Sequence, residues 1–257
     1  MDLVTIAIVS FLAAGLTLFS GFGLGTILLP AFAIFFSVEI AIALTAIVHL
    51  LNNLFKLQLF WKNIDSKVLM KFGVPAIIAS YFGAVLMVNL SGLKPIYAYS
   101  IGGNNFEIFP IKVVIGILLN LFALAEILPS IKALSFNKKY LPLGGILSGF
   151  FGGLSGHQGA LRAAFLLRAG MTKEGFIATG VAVACLIDTI RLFKYGTASL
   201  ADSISSNYII LVTAIMAAFA GSFFGARLVK KVTINSFQIT VALMLFIFAN
   251  LMIAGIL

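Results

Sequence analysis

Long apolar stretches are the feature that most constrains how this chain can fold. Eight of them follow one another, with only short polar loops between. About 20 apolar helical residues cross the ~30 Å hydrocarbon core of a bilayer. The stretches cover residues 3–36, 38–60, 71–90, 111–128, 140–169, 174–194, 207–229 and 236–257. We therefore predict an all-α polytopic membrane protein, with residues 1–257 forming a single membrane domain.

Composition supports a membrane protein and argues against a nucleic-acid partner. Charged residues make up 10% of the chain and hydrophobic residues 61%, whereas roughly a quarter of a soluble domain is charged. The net charge of +9 is typical of the basic cytoplasmic loops of membrane proteins. Because the opening residues carry no basic segment, we expect the N-terminus to be retained and not removed as a signal peptide. The single cysteine, Cys185, is interpreted as a small core residue.

Two of the apolar stretches are interrupted by glycine-rich segments. The first stretch would extend ~51 Å as one helix, which is too long for a simple span, and it contains SGFGLG at 20–25. The fifth contains GGLSGHQG at 152–159. Since glycine lowers helix propensity, we predict that each stretch forms a re-entrant or discontinuous helix broken at these glycines.

The two interruptions belong to an internal repeat. A shift of 135 residues, without a gap, aligns polar positions as well as apolar ones, and after a longer loop the register resumes at a shift of 142. The matches are Ser20-Gly21 with Ser155-Gly156, Glu39 with Glu174, Asn53 with Asp188, Lys56 with Arg191, and Phe82-Gly83-Ala84 with Phe224-Gly225-Ala226. The predicted units are repeat one at 1–128, a connecting loop at 129–139 and repeat two at 140–257.

The distribution of Lys and Arg favours re-entrant hairpins. If both interrupted stretches leave the membrane on the side they entered, eleven of the 17 Lys and Arg residues fall on one face, as expected for the cytoplasmic side. They are Lys62, Lys67, Lys71, Lys132, Lys138, Lys139, Arg168, Lys173, Arg227, Lys230 and Lys231. Each half then keeps three transmembrane helices, so the halves have inverted topology, as in many secondary transporters. Both termini would lie outside.

The glycine breaks are the first candidate substrate site. Helices starting near Thr26 and Ala160 would direct N–H groups and positive dipole ends into the membrane, which suits an anion. The candidate residues are Gly21, Gly23, Gly25, Ser155, Gly156, His157, Gln158 and Arg162. Close helix packing by small residues is the alternative explanation of the glycines.

Arg162 and His157 have their own alternatives. A buried arginine is costly and commonly faces a cavity or a partner, so Arg162 could bind an oxyanion. It could instead reach a lipid headgroup or cap carbonyl groups. His157 could relay protons or could be a hydrogen-bonded structural residue.

Polar faces on two long helices form the second candidate site. His49, Asn53 and Lys56 share one helical face, and Asp188 and Arg191 share the corresponding face in the second half. Asn53, Lys56, Asp188 and Arg191 are therefore added to the predicted substrate-binding residues. For Lys56 and Arg191 the alternative is snorkelling, in which the charged end reaches the membrane surface.

The sequence lacks the motifs of the common enzyme classes. It has no nucleophile elbow, zinc-protease motif, P-loop or dinucleotide fingerprint in a suitable context. Two distant histidines and one cysteine make a poor metal site. We therefore predict no catalytic residue, metal or cofactor. A membrane enzyme or assembly factor acting on a lipid or cofactor headgroup is one alternative function, and a cation or metal permease is another.

The glycine-rich segments resemble those of a known family. GFGLGTILLPAF at 21–32, the acidic residue opening the next helix, and GGLSGHQGALRAAFLLRAGM at 152–171 are similar to motifs of the sulfite exporter TauE/SafE family of bacterial membrane proteins. Gly21, Gly23, Gly25 and Pro30 match its first motif. The second copy departs from it, since it carries His157-Gln158-Gly159-Ala160 and has Phe165 where Pro30 has its counterpart.

The resemblance implies export or exchange of small sulfur-containing anions through two inverted halves. We therefore expect a secondary carrier or facilitator for sulfite, an organosulfonate or a related sulfur-containing or carboxylic acid. The expected location is the bacterial inner membrane. The expected partners are the anion and the lipid bilayer, with no nucleic acid, and a homo-oligomer is compatible with the sequence.

Overall fold

The computed structural model describes residues 2–20, 24–128, 134–196, 206–228 and 234–257, most of which are helical. The helices are α1 (Asp2–Ser20), α2 (Leu24–Ala33), α3 (Val38–Phe60), α4 (Ser66–Val68), α5 (Val74–Ser91), α6 (Pro110–Ile127), α7 (Leu141–Ser155), α8 (Gly159–Leu166), α9 (Lys173–Gly196), α10 (Tyr208–Leu228) and α11 (Ile234–Ile253). Short 3-10 turns cover Trp61–Asn63 and Lys138–Tyr140, and a π-helical segment, Leu69–Gly73, joins α4 to α5.

In the part of the chain that the structure describes, three continuous helical segments are long and apolar enough to cross a membrane. They are Val38–Asn63, Ser66–Ser91 and Lys173–Gly196. The first and third contain α3 and α9, and the second contains α4, the π-helical segment and α5. The prediction of a mostly helical protein with several long apolar helices is confirmed.

A β-hairpin corrects the prediction that the chain is all-α. Strand β1 (Tyr97–Ile101) pairs antiparallel with β2 (Asn104–Ile108). The turn between them uses Gly102 and Gly103, with φ of 61° and 82°, a region in which glycine has little steric penalty. The Tyr99 hydroxyl donates to the Ala254 carbonyl oxygen at 2.5 Å. The hairpin therefore lies at the same end of the molecule as the C-terminus.

The second glycine-broken stretch folds back on itself. The backbone N–H of Phe136, before α7, donates to the carbonyl oxygen of Ala164 in α8 at 3.0 Å. The Phe136 and Phe165 rings stack with centroids 4.3 Å apart. The end of α8 therefore returns to the start of α7, as in a re-entrant hairpin. In the first half, α1 and α2 also pack against each other.

Helices α3 and α9 run antiparallel, and their arrangement brings several basic loops to one end of the molecule. His49 contacts Asp188 near the middle of the pair, and a Cβ on Gly175 would lie 3.4 Å from the Asn63 carbonyl oxygen at one end. The backbone N–H of Asp65 donates to Thr179 Oγ1 at 2.9 Å there. Seven of the eleven predicted cytoplasmic cations lie toward this end: Lys62, Lys67, Lys71, Lys138, Lys139, Arg168 and Lys173. The side chains of the other four lie outside the described part of the chain.

Glycines allow the helix backbones of α5 and α7 to touch. A Cβ on Gly145, Gly149 or Gly153 of α7 would overlap the carbonyl oxygen of a residue on α5 or in the π-helical segment before it. Those residues are Phe72, Ala76 and Ser80. The constant spacing shows that the two helices run parallel. Gly221 of α10 meets the Phe11 carbonyl oxygen of α1 in the same way.

Candidate functional site

A cluster of buried polar side chains lies where α3, α9 and the turn between α7 and α8 meet. It lies within otherwise apolar helices, where an unpaired polar or charged group is costly. Its fully or nearly fully buried members are His49, Asn53, Lys56, His157, Gln158, Asp188 and Arg191. Six of these seven are residues that the sequence analysis selected, and the structure brings them together.

Asp188 is the centre of the cluster. Its Oδ2 accepts a hydrogen bond from His49 Nδ1 at 2.5 Å. Its Oδ1 accepts from Arg191 Nε at 3.0 Å and from Gln158 Nε2 at 3.4 Å. Arg191 Nη2 also lies 2.9 Å from Oδ1 as an ion pair. One carboxylate therefore joins α3, α9 and the turn that follows α7.

Arg191 is wholly buried, so the snorkelling interpretation of this residue is wrong. Its side chain turns inward to Asp188, and the guanidinium packs against the backbone of Gly156: a Cβ there would lie 2.5 Å from Arg191 Nη1. Gly156 also has φ of 84°, which an L side chain adopts only with strain. Nη1 has no hydrogen-bond partner among the described residues. Nη2 likewise has no hydrogen-bond partner among the described residues, although it lies within ion-pair distance of Asp188, so Nε is the guanidinium atom that donates to the carboxylate.

The start of α2 meets the turn that contains Gly156. A Cβ on Gly25 would lie 3.8 Å from the Gly156 carbonyl oxygen and 3.4 Å from Thr45 Cγ2. Thr45 Oγ1 is buried and has no hydrogen-bond partner in the described structure. The two glycine breaks therefore approach each other. Gly21 and Gly23, also predicted here, lie outside the described residues.

His157 has one ring nitrogen paired and one unpaired. Ser155 Oγ donates to the Phe151 carbonyl oxygen at 3.1 Å, so it accepts from His157 Nδ1 at 3.2 Å. The ring stacks on Phe122 with centroids 5.6 Å apart. Nε2 is buried without a partner among the described residues. This hydrogen-bond network, from which the tautomer is assigned, leaves Nε2 as an acceptor in the neutral ring.

Arg162 and Lys56 add positive charge beside the cluster. Arg162 is half-buried, and its Nη1 donates to Gln158 Oε1 at 2.9 Å. Arg162 therefore faces the cluster and not a lipid headgroup. Lys56 is 8% exposed and is repelled electrostatically by Arg162. Its burial within the protein contradicts the snorkelling interpretation for this residue too.

Thr45 is a residue that sequence reasoning missed, whereas His49 was placed on the polar face of α3 but not among the predicted substrate-binding residues. His49 was placed on one face with Asn53, and its spacing from that residue was the available signal. Its partner Asp188 is 139 residues away, and that pairing depends on how α3 and α9 cross. No sequence pattern identified Thr45 as a site residue. Among the described residues, no group of His, Cys, Asp and Glu could hold a metal ion.

Comparison with known proteins identifies the family to which this chain belongs. The family model described as sulfite exporter TauE/SafE matches residues 6–252. In searches of curated proteins and of solved structures, nothing matches significantly. The family match supports transport and removes the alternative of a membrane enzyme. The chain therefore belongs to the sulfite exporter TauE/SafE family, and it is a multi-pass membrane transporter.

Proposed function

We propose that the chain is a secondary carrier or facilitator that exports or exchanges a small sulfur-containing anion. Sulfite, an organosulfonate or a related sulfur-containing or carboxylic acid would bind where the two glycine breaks meet. The observation that carries this proposal is the buried Arg191 guanidinium, whose Nη1 lies against Gly156 without a partner among the described residues.

The charge of the cluster favours an anion. Asp188 is the one fully buried carboxylate among the described side chains. Two arginines act on it, the buried Arg191 and the half-buried Arg162, and the buried Lys56 lies near Arg162. Uncompensated positive charge in an apolar environment is costly, and a bound anion reduces that cost. This surplus argues against the alternative of a cation or metal permease.

The polar atoms left unpaired suit an oxyanion. Arg191 Nη1 and the Thr45 hydroxyl can donate hydrogen bonds to an oxyanion. Helices α2 and α8 both begin at this junction, so their first N–H groups add donors. Sulfite, sulfonates and carboxylates all present oxygens that accept such bonds. These donors therefore support an oxyanion as the substrate. Binding measurements are needed to distinguish sulfite, sulfonates and carboxylates.

We further propose that the two halves are inverted repeats, with bounds at 1–128, 129–139 for the connecting loop and 140–257. The end of α1 and the starts of α2 and α3 recur 135 residues later, at Ser155, Gly159 and Lys173. The paired helices α3 and α9 are antiparallel. So are α6 and α11, because Gly255 after α11 lies against Glu107 before α6, whereas Gly116 within α6 lies against Ala249 within α11. Antiparallel equivalent helices are what inverted topology requires.

The basic end of the molecule gives the proposed orientation. Lys and Arg are concentrated on cytoplasmic loops, so the end carrying Lys62 and Lys173 would face the cytoplasm. The β-hairpin and the C-terminus would then face outward. The bacterial inner membrane is the proposed location.

Binding and flux measurements test the proposal. Sulfite, thiosulfate, methanesulfonate and acetate are added to the purified protein, and binding is read as an increase in melting temperature. Each stabilising anion is then tested for uptake into proteoliposomes, with Arg191→Ala as the comparison. We expect saturable uptake of at least one sulfur-containing anion by the wild-type protein and loss of that uptake in Arg191→Ala. Absence of uptake for all four anions would contradict the proposal.

A further inference from the structure

We propose that Lys56 and Arg162 form a second anion subsite on the cytoplasmic side of Asp188, where a monovalent oxyanion binds before it reaches Arg191. This inference rests on the proposed function and orientation, and it adds a step to the export path. It comes from two neighbouring cations inside the protein, neither of which has an ion-pair partner among the described residues.

Lys56 is the more deeply buried of the two cations. Within the described part of the chain, its ammonium group has neither a hydrogen-bond partner nor an ion-pair partner. A buried, unpaired ammonium group is costly, and it carries three N–H donors that need acceptors. An oxyanion bound beside Lys56 would supply both the acceptors and the opposite charge.

Arg162 has donors to share with the same anion. Its Nη1 donates to Gln158 Oε1 at 2.9 Å, which uses one of the five N–H donors that a guanidinium carries. Because Arg162 is half-buried, an anion can reach the remaining N–H groups. Arg162 and Lys56 also repel each other electrostatically, and an anion between them would turn this repulsion into two attractions.

Lys56 lies nearer to the basic end of the molecule than Asp188 does. The residue of α3 that contacts Asp188 is His49. Lys56 follows His49 by seven residues along α3, which is roughly 10 Å along a helix axis. Since α3 ends at the basic loops, an anion from the cytoplasm would meet Lys56 before it meets the level of Asp188.

Arg162 lies at a similar level on the opposite helix. A Cβ on Gly180 of α9 would lie 3.5 Å from Arg162 Nε. Gly180 precedes Asp188 by eight residues, toward the end of α9 that meets the basic loops. Arg191 follows Asp188 by three residues, in the other direction. Asp188 therefore separates Arg191 from the pair formed by Lys56 and Arg162.

Gln158 connects the two cationic groups through Asp188. Its Oε1 accepts from Arg162, and its Nε2 donates to Asp188 Oδ1, the oxygen that also pairs with Arg191. Both subsites are thus held by one hydrogen-bonded network. An anion that leaves Arg162 needs to pass only this amide and carboxylate to reach Arg191.

The charges of the cluster can accommodate two monovalent anions. With the histidines neutral, three positive charges, on Lys56, Arg162 and Arg191, face the single negative charge of Asp188 and leave a surplus of two. One anion at Arg191 would neutralise half of that surplus. A second anion at Lys56 and Arg162 would neutralise the rest, and uncompensated buried charge is costly.

Binding of methanesulfonate measures the number of subsites. This probe is a monovalent oxyanion that stays ionised near neutral pH, so each bound ion reports one subsite. Labelled methanesulfonate is titrated against purified wild-type protein in detergent by equilibrium dialysis. We expect about two ions per chain at saturation, as the charge surplus favours. A single ion per chain, or no binding at all, would overturn the second subsite.

Three variants assign the two ions. Lys56→Met removes the charge and weakens its subsite by roughly tenfold or more, so it should bind about half as many ions as wild type where wild type is just saturated. Lys56→Arg restores the charge and should bind as many as wild type. Arg191→Ala should lose transport but still bind the ion at Lys56 and Arg162. Full wild-type binding by Lys56→Met would contradict the proposal.

Transport from each face tests where the subsite lies. Inverted membrane vesicles expose the cytoplasmic face, and right-side-out vesicles expose the outer face. Lys56→Met should raise the apparent KM for methanesulfonate roughly tenfold at the cytoplasmic face and less than about twofold at the outer face. Lys67→Met removes an exposed charge at the same end and is the control that should change neither value.

The outcomes distinguish this inference from the proposed function. A rise in KM at both faces, or at the outer face alone, would overturn the placement of the subsite. If wild type binds one methanesulfonate ion, loses it in Arg191→Ala and still transports, the proposed function stands without a second subsite. If wild type neither binds nor transports methanesulfonate, the second subsite fails, and uptake of the other three anions decides the proposed function.

Discussion

At the scale of single residues, Arg191 has one edge paired with a carboxylate and one amino group without a hydrogen-bond partner among the described residues. One edge is held by Asp188, which limits the cost of burying the charge, and Nη1 lies free against Gly156. A charge-assisted hydrogen bond contributes about 1.5–3 kcal/mol. This is enough for a single arginine to decide whether an anion binds with useful affinity.

Arg191→Ala should therefore weaken anion binding by roughly ten- to hundredfold, the range that this energy corresponds to. Arg191→Lys should keep the charge but lose the planar geometry, so the apparent KM should rise while transport remains saturable. Both are measured as initial uptake rates across a range of anion concentrations. Wild-type kinetics in Arg191→Ala would show that this side chain only stabilises Asp188.

Gly156 can be tested against a glycine with the same backbone conformation. Gly156→Ala introduces a left-handed alanine, costing about 1–2 kcal/mol, and also displaces the Arg191 guanidinium. Gly170 has φ of 85°, but no atom of the described residues lies within 4 Å of its added Cβ. Both variants should melt at lower temperature, and only Gly156→Ala should lose transport. Equal transport in the two variants would mean that the contact between Gly156 and Arg191 has no functional role.

At the scale of elements, most helix positions were predictable because each helix is a long apolar run ended by polar or glycine-rich residues. The expected starts of the helices after the breaks, Thr26 and Ala160, lie within two residues of the observed Leu24 and Gly159. The β-hairpin was missed because hydropathy alone marks 91–110 as a loop. Its Gly102-Gly103 pair between aromatic and β-branched residues was a readable hairpin signal.

The departure of the second glycine-rich segment from the family pattern has a packing explanation at Phe165. Pro30 lies inside α2, whereas Phe165 in α8 stacks on Phe136. A Cβ on Gly144 would overlap the Phe165 ring. The aromatic ring thus fills the hairpin between α7 and α8, close to the basic end and away from Arg191. This residue alters packing without changing the proposed anion contacts.

The parallel contact between α5 and α7 should be sensitive to any side chain on its glycines. Gly149→Leu would force a branched side chain against the Ala76 backbone, and overpacking of this kind typically costs about 1–3 kcal/mol. We expect a lower melting temperature and less folded protein in detergent. Gly196→Leu, at a helix end where no described atom lies within 4 Å of an added Cβ, is the control and should stay close to wild type. Unchanged melting of Gly149→Leu would indicate that the helices separate easily.

At the scale of the whole molecule, the membrane fold class and the polar faces of α3 and α9 could be predicted from the sequence. The contact between these two faces could not. Membrane solvation forces apolar helices, so composition alone leads to the fold class. The contact of His49 with Asp188 depends instead on the rotation and crossing of α3 and α9, which many side-chain contacts determine together. The approach of Gly25 to Gly156 could likewise not be predicted from the periodicity of apolar residues along the sequence.

Cysteine labelling tests the orientation of the molecule. On a Cys185→Ala background, single cysteines replace the exposed residues Ser66 and Asn137 at the basic end, and Ser100 in the β-hairpin. An impermeant thiol reagent applied to intact cells should label only the cysteine at position 100. Cell lysis before labelling serves as the control and should expose all three positions. Labelling at position 66 or 137 without lysis would reject the proposed orientation.

The packing of first-half helices against second-half helices affects how the chain is inserted into the membrane during synthesis. Helix α1 packs against α10, and α5 packs against α7, so each contact joins an early helix to one synthesised much later. Until α7 emerges from the ribosome, α5 has no partner for the backbone surface at Ala76 and Ser80. We therefore expect the first half to remain in the bilayer as an incomplete bundle until the second half is inserted. During that time membrane chaperones or quality-control proteases can bind it.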